Sequence, residues 1–222
     1  MKCVVIGASG GLGMAIADAL EQRGQAVIRV ARHSSPSLDL LDEDSIAAAA
    51  AAIGAGLHWV IDATGFLHNA QFKPEKSLSQ IDPAHLAYSF AVNATGPALL
   101  MKHFLPLLVR DQPSVFATLS ARVGSISDNR LGGWYAYRAA KAALNQLVRT
   151  AAIEVARTRK QAICVSLHPG TVRTALSDPF PKHGLDVQAP AQAAAKLLTV
   201  IDALSPDQTG LLFDHNGVRI EF

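Results

Sequence analysis

The run Cys3-Val4-Val5-Ile6 passes directly into Gly7-Ala8-Ser9-Gly10-Gly11-Leu12-Gly13, and Leu12, Ile16, Ala19 and Leu20 then recur at helical spacing. Consecutive apolar residues predict a short buried strand, and the periodic ones predict a helix over 11–23. Between them, glycine permits a tight turn and lets the backbone come close to a ligand. A helix opening on such a turn presents free amide groups, a ready seat for the phosphates of a dinucleotide. Residues 7–11 also match the Gly-x-Ser-x-Gly elbow of hydrolases. That elbow sits deep in a sheet, however, and the serine here is residue 9, at the end of the first strand. A phosphate turn fits better.

Working outward, the alternation continues. Further strands are expected at 26–31, 58–62, 115–119, 162–167 and, as the last, 210–214. Helices are expected at 44–53, capped by Asp44 or Ser45; at 86–109, interrupted near Pro97 and Pro106; at 135–157; and at 190–204, with proline at its tolerated first position. Continuous apolar strands separated by helices imply a parallel sheet covered on both faces. The expected fold class is therefore α/β, a single Rossmann-type doubly wound parallel sheet with helices on both faces and its ligands at the carboxyl ends of the strands. A chain of 222 residues suits one domain, 1–222.

Half the residues are apolar, 17% are charged and the net charge is +2. That balance argues against disorder. No basic stripe marks a nucleic-acid partner, and the cluster Arg157, Arg159 and Lys160 suits a helix end. No apolar run reaches the roughly 18 residues of a membrane span. The early glycine at position 7 leaves no room for a signal peptide, so a cytoplasmic protein is expected. Cys3 and Cys164 read as buried thiols. None of the eight histidines falls in a metal-binding motif, and no metal is expected.

The second strand ends in Ala31-Arg32-His33, where an NAD site usually carries an acidic residue for the ribose 2′-hydroxyl. Arg32 can fork onto a 2′-phosphate instead, which favours NADP over NAD; the bland alternative is a solvated surface arginine. Tyr137 and Lys141 lie four residues apart on one helix face. An ammonium beside a phenol is expected to pull its pKa down from about 10, making an acid/base group for a carbonyl or alcohol oxygen.

Taken together, Gly7/Gly11/Gly13, Asp39-Leu40, Asp62-Ala63-Thr64-Gly65, Asn93, Tyr137/Lys141 and Pro169-Gly170 through Thr174 resemble the short-chain dehydrogenase/reductase family in order and spacing, nearly along the whole chain. The stretches 124–129 and 132–138 look most like its C-factor and sniffer carbonyl-reductase-like subgroup. The resemblance implies an oxidoreductase that moves a hydride between a nicotinamide and a small carbonyl or alcohol. It implies that Gly7, Ser9, Gly10, Gly11, Leu12 and Gly13 cradle the phosphates, and that Asp39 and Leu40 meet the adenine. It further implies that Ala63, Thr64 and Gly65 pass the ribose, that Asn93 holds a relay water, and that Lys141 binds the nicotinamide ribose. Pro169, Gly170, Val172 and Thr174 would frame the nicotinamide.

Two departures stand out. Asp62-Ala63-Thr64-Gly65 replaces the family's Asn-Asn-Ala-Gly, and Ala121 falls where its serine is expected. Polarisation of the substrate oxygen is left to Ser125, to Ser120, or to no serine, with Ser125 slightly preferred. Trp134, Phe66, Leu67, His68 and Phe180 are candidate pocket walls, His168 is expected to be structural, and 176–187 is expected to cover the substrate. The likeness also implies a homodimer or homotetramer through the two long helices. The rival class is a nucleotide-binding regulatory protein with little turnover. An epimerase or dehydratase is disfavoured, because only some fifty residues follow the Tyr–Lys helix.

Overall fold

The computed structural model describes residues 1–177 and 186–222. Among these residues, seven strands form the central sheet in the order β2-β1-β3-β4-β5-β8-β9. These are β1 (Lys2–Ile6), β2 (Ala26–Val30), β3 (Trp59–Asp62), β4 (Ser114–Leu119), β5 (Ala162–His168), β8 (Leu212–Asp214) and β9 (Arg219–Ile220). All adjacent pairs are parallel except β8–β9, which is antiparallel. The strand expected to be last is thus followed by another, returned by a turn in which Asp214 Oδ1 accepts from the amides of Asn216 and Val218. A two-stranded parallel pair, β6 (Thr171–Val172) and β7 (Val187–Gln188), lies outside the main sheet.

Among the described residues, six α-helices cover the sheet: α1 (Gly11–Gln22), α2 (Glu43–Ile53), α3 (Pro83–Phe90), α4 (Gly96–Phe104), α5 (Tyr135–Ala156) and α6 (Pro190–Ala203). Alternate residues of each strand face opposite layers. Cys3, Val5, Ile61, Ala117 and Val165 join Leu12, Ile16, Leu20, Leu197 and Leu198 of α1 and α6 in one core. Val4, Ile6, Val60, Phe116 and Cys164 join residues such as Ile46, Leu100, Phe104, Leu144 and Val148 of α2, α4 and α5 in the other. Burial on both faces is why the strands read as unbroken apolar runs.

Helix boundaries agree with the pattern apart from local chemistry. The α2 cap is Asp42, whose Oδ1 accepts from the amides of Asp44 and Ser45, not either residue expected. The long helix expected over 86–109 divides into α3 and α4 at a π-helical turn, Ala91–Thr95, just ahead of Pro97, and ends in a 3-10 turn through Pro106. Much of the expected substrate-covering segment, Phe180 included, lies outside the described residues.

Candidate active site

A cleft of about 780 Å³ opens where the carboxyl ends of β1, β3, β4 and β5 meet the start of α1. The glycine turn shapes one end of it. Gly7 holds φ +82°, and a Cβ on Gly13 would stand 2.2 Å from the Gly7 carbonyl oxygen. Only glycine lets α1 begin this close to β1. Gly10 caps α1 without any side-chain hydrogen bond, and the first turn carries no acidic residue. Its orphan amides therefore suit an anion. Thr174 lies over the turn, its Cγ2 3.2 Å from where a Gly11 Cβ would be. This cradle fits the phosphates of a dinucleotide.

Tyr137 and Lys141 reach the same cleft from α5. Gly124 makes that approach possible, because a Cβ there would lie 2.9 Å from the Lys141 backbone. Lys141 is 2% exposed, and its Nζ donates to the Leu119 carbonyl at 2.8 Å. Burial pulls its ammonium down to about 8, with the Asp62 charge opposing. Nζ stands 5.9 Å from the Tyr137 ring centroid. The expected lowering of the phenol is not what the structure gives: burial dominates and pushes Tyr137 up to about 12. The Trp134 ring meets it edge-on at 6.2 Å.

Beneath this pair, fully buried Asp62 ends β3. Its Oδ1 accepts from the Thr64 amide and hydroxyl, and its Oδ2 from the Thr118 hydroxyl at 2.7 Å. Burial raises its carboxyl, while those donors and the Lys141 charge pull it back. Three donors replace what an asparagine would satisfy in part by donating, so the departure at this position is locally compensated.

The two serines separate cleanly. Ser120 lines the cleft, donating its hydroxyl to Asn145 Oδ1 at 2.7 Å. Ser125, the slightly preferred one, is not among the lining residues; its Oγ accepts from the Asp128 amide and meets Ser127 Oγ at 3.4 Å. Asn93 is fully buried in the π-helical turn, a feature that concentrates at functional sites. Its side chain is engaged in protein contacts: Oδ1 accepts from the Phe66 amide, and Nδ2 donates to the Phe66 carbonyl and Ser89 Oγ.

Gly10, Gly11, Leu12, Gly13, Ala63, Thr64, Gly65, Pro169, Gly170, Val172 and Thr174 all border the cleft. Gly7 is outside the lining, set against the Ala63 main chain. Ser9, Arg32 and Asp39 are exposed outside the lining, and the half-buried Leu40 packs against Gly96. Of the expected walls, Leu67 and Trp134 line the cleft. Phe66 packs edge-on to Tyr88, and His68 lies near the Ala175 carbonyl. His168 also lines it, held neutral by burial that takes it down to about 4. Arg122 and Leu131 line it too and carried no motif signal, as does Arg138 from the subgroup-like stretch 132–138. No group of metal-ligating side chains occurs among the described residues.

A family model described as enoyl-(acyl carrier protein) reductase matches residues 7–203. The chain belongs to the short-chain dehydrogenase/reductase family. It is 35% identical to the C-signal protein of Myxococcus xanthus over 145 residues, 65% of this chain and 82% of that one. It is 27% identical to a 1-hydroxy-2-glutathionyl-2-methyl-3-butene dehydrogenase of Rhodococcus sp. strain AD45, covering 99% of this chain and 98% of the relative. The carbonyl reductase Sniffer of D. melanogaster superposes with TM-score 0.86 at 22% identity, over 100% of this chain and 99% of the other. A short-chain dehydrogenase/reductase structure from Burkholderia multivorans with bound NADP reaches TM-score 0.85 at 24% identity, again over 100% and 99%. The family is one of oxidoreductases, and the fold is that of the carbonyl reductases. Among the described residues, no helix is long and apolar enough to cross a membrane.

Proposed function

We propose that this protein is an NADP-dependent oxidoreductase acting on a small carbonyl or alcohol, with Tyr137 as its acid/base group. The observation that carries this is the convergence of Tyr137 and Lys141 on the cleft into which the glycine turn opens. A bound nicotinamide dinucleotide supplies or accepts the hydride. Gly7 to Gly13 hold its phosphates, and Asp39 and Leu40 take the adenine. Ala63 to Gly65 follow the ribose, while Pro169, Gly170, Val172 and Thr174 frame the nicotinamide. Arg32 is exposed and makes no ion pair among the described residues, which leaves its guanidinium available for a 2′-phosphate.

A phenol held at about 12 keeps its proton at neutral pH. Tyr137 is thus set to donate to a carbonyl oxygen as it gains negative charge, which favours reduction. Lys141, still largely charged at pH 7, stabilises the phenolate as it forms. Ser120 orients the substrate by turning its hydroxyl from Asn145 to the carbonyl oxygen. With the Asn93 side chain committed to Phe66, any relay water is left to the main chain of its π-helical turn. Leu67, Val123, Leu131 and Trp134 make the walls apolar, matching an apolar aldehyde or ketone. We further propose a single-domain cytoplasmic enzyme that assembles as a dimer or tetramer through the stretch 86–109, which holds α3 and α4, and through α5.

The test is NADPH and NADH consumption across a panel of aldehydes and ketones, with wild type and Tyr137→Phe. A loss of roughly 10²- to 10⁴-fold in kcat/KM is expected; turnover indifferent to the substitution would overturn the role of Tyr137. One observation favours a second reading: Ala121 stands where the family's serine is expected, in a chain 35% identical to C-signal. A regulatory protein of that kind binds the dinucleotide but turns over no carbonyl in the panel.

A further inference from the structure

Helix α5 begins without a cap of its own. Its N-cap residue is Trp134, at φ +52°, whose indole donates and cannot accept an amide hydrogen. What caps it comes from the loop after β3. Glu75, 2% exposed, accepts the Ala136 amide on Oε2 at 3.2 Å, and its main-chain carbonyl accepts the Trp134 amide. A Cβ on Gly133 would lie 3.3 Å from that same carbonyl, so the glycine allows the approach. One residue thereby satisfies an orphan amide of the helix and fixes the left-handed residue before it. Its carboxylate also complements the positive end of the helix dipole.

His85 stands behind Glu75. His85 Nδ1 faces Oε1 at 3.0 Å without the in-line geometry of a hydrogen bond. The imidazole is 3% exposed, stacked on Phe72 at 5.0 Å and 5°, and met edge-on by Phe66. Phe66 is the residue gripped by Asn93 through both its amide and its carbonyl. A contiguous chain of contacts thus runs from the π-helical turn through Phe66, His85 and Glu75 to the first turn of α5.

We propose that Glu75 is a positioning residue for the reaction centre: it caps α5 from a neighbouring loop and so fixes Trp134 and Tyr137 in the cleft. The role in turnover rests on the reading of Tyr137 given above; the cap itself does not. Exchange of the Ala136 amide is measured first in the cofactor-free wild-type protein. It should be at least about 10-fold slower than that of Leu12, a first-turn amide of α1 that no side chain caps. Exchange as fast as that of Leu12 overturns the cap without any variant having to fold.

Glu75→Ala should then speed exchange of the Ala136 amide by about 10-fold, with Glu75→Gln close to wild type because it keeps the acceptor oxygen. In a Trp59→Phe background, Trp134 is the sole tryptophan, and Glu75→Ala should shift its emission to the red. kcat should fall roughly 10- to 100-fold in Glu75→Ala, with dinucleotide affinity unchanged and Glu75→Gln largely restoring it. Unchanged exchange and emission in Glu75→Ala, or Glu75→Gln losing kcat as fully as Glu75→Ala, overturns the proposal. A wild-type protein that reduces no carbonyl sinks the Tyr137 reading, and the exchange and emission results still decide the cap.

Discussion

Lys141→Met measures what it costs this fold to keep a cation in the cleft. Lys141 is 2% exposed, and burial brings its ammonium from 10.5 down to about 8. At about 1.4 kcal/mol per pH unit, that shift is a penalty of about 3 kcal/mol at neutral pH. The folded value is depressed, so between about 8 and 10.5 the unfolded chain binds more protons than the folded one. The penalty is therefore complete below about 8, and stability rises as pH climbs through that window. Methionine has similar length and no charge. It forfeits the hydrogen bond to the Leu119 carbonyl, about 1 kcal/mol, and removes the charge that helps Asp62 stay ionised. A net gain of about 2 kcal/mol at pH 7 follows, or about 4–8 °C in Tm for a chain of this size. Urea unfolding of both proteins at pH 7 and above pH 10 reads it directly. The gain should shrink at the higher pH, and dinucleotide-dependent turnover should be lost while stability improves. A variant less stable than wild type at pH 7, or a gain that ignores pH, would refute the reasoning.

Two other substitutions probe the cofactor end. Gly13→Ala puts a Cβ 2.2 Å from a backbone oxygen that cannot retreat without moving β1 or α1, so dinucleotide affinity by calorimetry should fall at least about 10-fold; binding at wild-type strength would remove the turn from the site. Arg32→Ala should raise KM for NADPH by about 10-fold or more, the worth of a charge-assisted hydrogen bond, with little change for NADH. Equal effects on both cofactors would leave Arg32 a solvated surface residue.

The architecture was legible because one physical signal repeats: short, mostly apolar runs such as Val115 to Leu119, set between helical patterns, are buried on both faces as inner strands of a parallel sheet are. Boundaries failed where side-chain hydrogen bonding decides them. Asp42 outcompeted Asp44 and Ser45 as a cap because its carboxylate reaches two amides from an extended backbone. The π-helical turn and the antiparallel β9 depend on tertiary packing that no local pattern encodes. In the site, the Tyr–Lys spacing announced a shared helix face correctly, but spacing carries no dielectric, and the desolvation that raises Tyr137 was invisible. Ser120 and Ser125 could not be told apart for a similar reason: five residues of loop hide which hydroxyl faces the cleft. Glu75 left no signal at all, since a cap supplied from sixty residues away has no sequence period.

On the proposed role of Tyr137, the charge states of the cleft suit it to give a proton rather than take one. At pH 7 burial keeps the Tyr137 phenol protonated, keeps His168 neutral and leaves Lys141 charged. Desolvation acts on all three, and it drives each toward its neutral form. The Asp62 charge opposes that drive at Lys141, and the Thr118 and Thr64 donors in turn oppose the burial that raises the Asp62 carboxyl. The carboxylate at position 62 is thus more than a tolerated replacement at the end of β3. It supplies part of the field that keeps a buried ammonium charged 5.9 Å from the Tyr137 ring, and on the proposed role of Tyr137 that cation would stabilise the phenolate once the proton has gone.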